Sequence, residues 1–119
     1  PIIVTDREKT LIDAADRPGL SGGIAQLAEA LRQGARDIDW TKLDAHLVRF
    51  GVGTVYKRLG YLVEALRIPM PQVETRLATW QSHLTAGISR LEPGGADSGR
   101  TVTRWRIRVN VRGFEGLDS

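Results

Sequence analysis

A chain of 119 residues, 41% hydrophobic and 26% charged, is long enough to bury roughly two thirds of the surface its unfolded form exposes and so to build one globular domain. It contains no cysteine, which excludes zinc fingers, iron–sulfur clusters, disulfide frameworks and thiol nucleophiles. Its apolar runs are only a few residues long, far short of the roughly 20 needed to span a bilayer. No basic-then-apolar leader is present, so a cytoplasmic protein without membrane contact is expected.

The net charge of +3 is unevenly placed. Residues 1–99 carry 12 Lys/Arg and 12 Asp/Glu, whereas residues 100–119 carry five arginines (Arg100, Arg104, Arg106, Arg108 and Arg112) against Glu115 and Asp118. The whole imbalance lies at the C-terminal end, where any polyanion preference is to be sought.

In chain order, Pro1–Val4 is a short β-branched run that reads as a strand. Thr5-Asp6-Arg7-Glu8 has the form of a capping box, opening a first helix from Asp6 to about Asp16 with Leu11, Ile12 and Ala15 inward. Pro18-Gly19 stops it. Ser21-Gly22-Gly23 opens a second helix whose apolar residues Ile24, Leu27, Ala28 and Leu31 recur at i, i+3, i+4 and i+7, with Gly34 at its end. Asp39 caps a third, with Trp40, Leu43, Leu47 and Phe50 on one face.

Beyond Gly51-Val52-Gly53, a fourth helix is predicted from Thr54 to Leu66, striped by Val55, Leu59, Leu62, Val63 and Leu66. Pro69 ends it, and Pro71 suits the first turn of a fifth, carrying Val73, Leu77, Trp80 and Leu84 inward. After Gly87 the period falls to two: Ile88–Leu91 and Thr101–Val111, joined through Glu92-Pro93-Gly94-Gly95, read as a β-hairpin with a long loop. The expectation is one α+β domain over residues 1–119, mostly helical, with about five helices, an N-terminal strand and a C-terminal hairpin in a small antiparallel sheet. Since each stripe serves one core, the domain is expected to fold alone as a monomer or weak dimer.

Catalytic constellations are missing from the pattern. His46 and His83 lie far apart without metal-ligand spacing. There is no phosphate loop, and Gly51-Val52-Gly53 lacks the strand and third glycine of a dinucleotide site. Asp13 and Asp16, three apart on a helix, read as a solvated face rather than an acid/base pair. The expectation is a protein without catalysis, cofactor or metal.

Two features stand above that background. Trp40–Leu66 could be a helix-turn-helix with Thr54, Lys57, Arg58 and Tyr61 on the outer face of its second helix, or simply two helices packed into a bundle. The apolar density of the fourth helix favours the bundle. From Val102 to Arg112, alternation puts Trp105, Ile107, Val109 and Val111 on one side and Arg104, Arg106, Arg108, Asn110 and Arg112 on the other. Strand geometry would space those guanidiniums about 6.7 Å apart in a ladder. Arginine forks take phosphates and carboxylates bidentately, so the ladder is either a polyanion- or partner-binding surface or a device that keeps a sheet soluble.

Asp6-Arg7-Glu8-Lys9-Thr10-Leu11-Ile12-Asp13, the turn Arg17-Pro18 followed by Ser21-Gly22-Gly23, the run Arg58-Leu59-Gly60-Tyr61-Leu62, and the close Leu91…Gly99…Arg104-Trp105 with Ile107, Val109 and Asn110 together resemble the C-terminal domain of the AbiEi-type antitoxins. That family belongs to type IV toxin–antitoxin systems of bacterial abortive infection, a phage defence. The resemblance implies a domain that counteracts a cognate nucleotidyltransferase toxin and assists transcriptional autorepression, with an upstream winged helix binding operator DNA. It supplies no catalytic residue. The alternative is a DNA-binding regulator acting through residues 40–66 or the basic strand 100–112.

Overall fold

The computed structural model describes residues 7–111. The predicted N-terminal strand and Thr5 of the predicted capping box lie outside the described residues. The protein is α+β. Five α-helices, α1 (Arg7–Asp16), α2 (Ile24–Gly34), α3 (Trp40–Phe50), α4 (Gly53–Ala65) and α5 (Val73–Gln81), precede three short strands, β1 (Ser89–Arg90), β2 (Arg100–Val102) and β3 (Ile107–Val109).

Helix α4 is the axis of the core. Every residue of it is buried except Thr54 and Glu64. It packs against α1, α5, β3 and the 3₁₀ turn Thr103–Trp105. A helix buried all round must be apolar or must carry its polar groups fully paired, and α4 uses both solutions. Val55, Leu59, Leu62 and Val63 supply apolar surface, while Lys57 and Arg58 are buried with hydrogen-bond partners. The glycine between α3 and α4 does what the sequence suggests. Gly51 adopts a left-handed conformation (φ 66°) and its N–H returns to the Leu47 carbonyl, closing α3.

Helix starts are tied by long-range contacts as well as local caps. Asp39 caps α3 by accepting from Lys42 N at 3.0 Å. Glu8, expected to serve its own helix, reaches α3: its Oε2 accepts from Asp39 N at 3.1 Å and its Oε1 lies 3.7 Å from Lys42 Nζ. Asp44 joins α3 to α5, its Oδ2 accepting from Arg76 Nε and its Oδ1 from Trp80 Nε1, both at 2.8 Å. Trp80 is buried, and Asp44 is the acceptor for its N–H. Asp44→Ala should therefore cost about 2 kcal/mol, and Asp44→Asn, which keeps one acceptor, distinctly less. Denaturant melts of the two variants check this; an Ala variant as stable as the parent would show α5 to be held by packing alone.

The structure corrects several expectations. Phe50, the last residue of α3, is 39% exposed, whereas Leu47 one turn earlier is buried. Pro71 is not in the first turn of α5: Gln72 is left-handed (φ 54°) and the helix begins at Val73, which is 40% exposed. Leu84 is half-buried beyond the helix end.

The largest correction concerns the sheet. It is mixed, in the order β1-β3-β2, with β1 parallel to β3 and β2 antiparallel to it. The segment at 88–91 does not pair with 100–102 as a hairpin. β3 inserts between them, and its apolar residues Ile107 and Val109 reach the core from the central position.

Candidate functional site: a basic cleft at the edge of the sheet

The arginine ladder does not survive as a straight strand. Thr103–Trp105 turn into a 3₁₀ helix and Arg106 is left-handed (φ 52°), so only Ile107–Val109 is extended. The alternation of burial is nevertheless correct, since Trp105, Ile107 and Val109 are all buried. The turn seats the Trp105 side chain against α4. Its indole lies over Gly60 of α4, and its Nε1 donates to Glu64 Oε1 at 2.9 Å.

The five arginines consequently have different roles. Arg104 is held by Glu64, Nε to Oε2 at 2.8 Å, with its guanidinium 5.8 Å from the Trp105 ring centroid. Arg106 donates from Nη1 to the carbonyls of Leu84 and Thr85, at 3.5 and 3.2 Å. Arg100 is exposed at the start of β2, opposite Val109. Arg108 is half-buried and donates from Nη1 to Gly99 O at 3.5 Å. Arg112 lies outside the described residues.

Lys57 and Arg58 are corrections too: neither faces outward as a base-reading helix requires. Lys57 Nζ donates to Gly87 O at 3.0 Å and Ser89 Oγ at 2.9 Å. Burial pushes its ammonium below the ordinary lysine range, and the positive charges of Arg106 and Arg58 push the same way. Arg58 donates from Nη1 to Ala15 O at 2.8 Å and Asp16 O at 3.3 Å, and from Nε and Nη2 to Arg90 O at 3.3 Å each. Burial lowers its pKa, while Asp16 and Glu92 act in the opposite direction. Tyr61 is buried as well. Residues 40–66 are thus a helical hairpin built into the core, with no recognition face on α4.

The arginine that sequence pattern missed is Arg90. Parallel register sets it directly opposite Arg108, with Thr101 on Arg108's other side. Like charges facing across strands destabilise a sheet, and among the described residues no carboxylate lies within ion-pair distance of either. No local signal could reveal this pair, because it depends on β3 inserting between β1 and β2.

Arg90 and Arg108 line a cleft of about 420 Å³ together with Arg58, Thr54, Ile88, Ser89, Pro93 and Asp97. Its walls are fixed. Asn110 clamps the loop after β1, donating from Nδ2 to Glu92 O at 2.9 Å and Ala96 O at 2.7 Å and accepting from Glu92 N at 3.0 Å. Glu92 in turn accepts at Oε1 from Ile24 N, at the start of α2. Comparison with family models, with curated proteins and with solved structures found no match.

Proposed function

We propose that this domain is the regulatory, non-catalytic part of a type IV antitoxin of the AbiEi kind, counteracting a nucleotidyltransferase toxin in the bacterial cytoplasm and assisting autorepression at operator DNA. The reading rests on the order of the motifs along the chain and on one packing observation. Two segments that carry the resemblance, Arg58–Leu62 and Arg104–Asn110, are far apart in sequence, and they meet at the contact of Gly60 with Trp105. Arg58, which opens the first of them, also ties the Arg17-Pro18 turn region to β1 through Asp16 O and Arg90 O. The motifs thus mark the joints of the fold, as a family-level signature would. Among the described residues no helix is long and apolar enough to cross a membrane.

Co-expression tests the proposal. Cells arrested by the neighbouring nucleotidyltransferase should resume growth when the domain is supplied, without the domain turning over any substrate of its own. Continued arrest in the presence of the folded domain, alone and joined to any segment encoded upstream, would overturn it.

A further inference from the structure

The cleft at the β1 edge has the composition of an anion site with an apolar mouth. Arg90 and Arg108 face each other in register on parallel strands, and among the described residues neither has a carboxylate within ion-pair distance. Arg90 donates from Nη1 to Gly95 O at 3.3 Å and Arg108 from Nη1 to Gly99 O at 3.5 Å. A bound anion would offset the cost of the facing like charges. Arg58 forms the floor. It is 6% exposed, and its bonds to Ala15 O, Asp16 O and Arg90 O occupy four of its five N–H groups, leaving one at Nη2. Thr54, the half-buried residue in the first turn of α4, adds a hydroxyl. That helix has no side-chain cap, so its N-terminal dipole adds to the positive potential. Ile88, 49% exposed, and Pro93 supply apolar surface on the same cleft. The volume of about 420 Å³ falls in the range of small-molecule sites, roughly 300–1,000 Å³.

We infer that this cleft binds a mononucleotide, its phosphate between Arg90 and Arg108 over Arg58 and its base against Ile88 and Pro93. The inference is independent of the antitoxin reading: rescue of growth reports on the toxin, ligand binding on the cleft. A mononucleotide fits better than a duplex backbone. The three arginines line one concave cleft rather than an open face, and Asp97 at the same cleft would repel a continuous run of phosphates.

Calorimetric titration of the full chain with inorganic phosphate, adenosine 5′-monophosphate and a short DNA duplex tests the inference. Saturable binding of the mononucleotide is expected, about tenfold tighter than inorganic phosphate because the apolar wall contributes only to the former. Arg90→Gln and Arg108→Gln should each weaken it about tenfold, each removing a charge-assisted bond to phosphate. Asp97→Asn should tighten it about threefold by removing a repelling charge. That variant lies on an exposed loop and keeps the test valid if an arginine variant fails to fold. The inference is overturned by no saturable binding up to on the order of 10 mM, by equal affinities for mononucleotide and inorganic phosphate, by folded arginine variants that bind like the parent, or by duplex binding that the mononucleotide does not displace.

Discussion

Gly60→Ala should destabilise the domain by roughly 3 kcal/mol, although in an exposed helix the same change would add about 1 kcal/mol of stability. The sign is decided by Trp105. A Cβ built on Gly60 overlaps three atoms of the indole's six-membered ring. The ring cannot easily retreat: Trp105 is fully buried, its Nε1 is held by Glu64, and Arg104 covers its face. An obstacle of this kind is unlike the one at Gly22, where an added Cβ would meet only the flexible Gln26 side chain. In a domain of this size the loss amounts to a fall in Tm on the order of 10 °C. Trp105→Leu removes the overlapping ring at its own cost, so the double variant should be less destabilised than the sum of the two, with a coupling of about 1–3 kcal/mol. Thermal melts of all four proteins give the answer. A stabilised Gly60→Ala variant would mean that α4 and the 3₁₀ turn have slack between them.

The same contact shows what was and was not legible in the sequence. Helices announce themselves locally: the i, i+3, i+4, i+7 stripe of Ile24, Leu27, Ala28 and Leu31 is buried as written, and the cap at Asp39 and the stop at Gly51 are chemical signals confined to one turn. The sheet is different. Period-two alternation correctly sorted Trp105, Ile107 and Val109 to the interior, but it is blind to which strand lies beside which. The C-terminal hairpin does form, but between β2 and β3, and it places β3 between β2 and β1 rather than pairing the 88–91 segment with β2.

The candidate site inherits that difficulty. Charge counting pointed to the C-terminal arginines, and Arg108 does line the cleft. Arg104, paired with Glu64, and Arg106, bonded to the carbonyls of Leu84 and Thr85, do not line it. Arg90, near the middle of the second half of the chain, gave no compositional signal at all. Lys57 and Arg58 looked exposed because charged side chains almost always are. Their burial is intelligible only once the orphan carbonyls of Ala15, Gly87 and Arg90 are seen around them.

Arg58 is the position where replacement should cost most among the charged residues. Its guanidinium satisfies the end of α1 at Ala15 and Asp16 and the outer edge of β1 at Arg90. Arg58→Met fills similar space but leaves these carbonyls without their side-chain donor, the one at Ala15 in a buried position. Each such acceptor costs about 1–3 kcal/mol, so a loss of roughly 3 kcal/mol or more is expected. Lysine is not an equivalent cation here. A single ammonium can reach the α1 end or the β1 edge but cannot fork between them, so Arg58→Lys should recover only part of the loss. The deficit should also be local. Amide exchange at Ser89 and Leu91, whose N–H groups bond Arg106 O and Arg108 O across β1 and β3, should accelerate in the lysine variant more than exchange within α2, which Arg58 does not touch. Uniform acceleration would assign the loss to the global equilibrium rather than to a loosened strand. An Arg58→Met variant within about 1 kcal/mol of the parent would show that the carbonyls find water or other donors, and that the guanidinium is kept for the cleft it floors rather than for the fold.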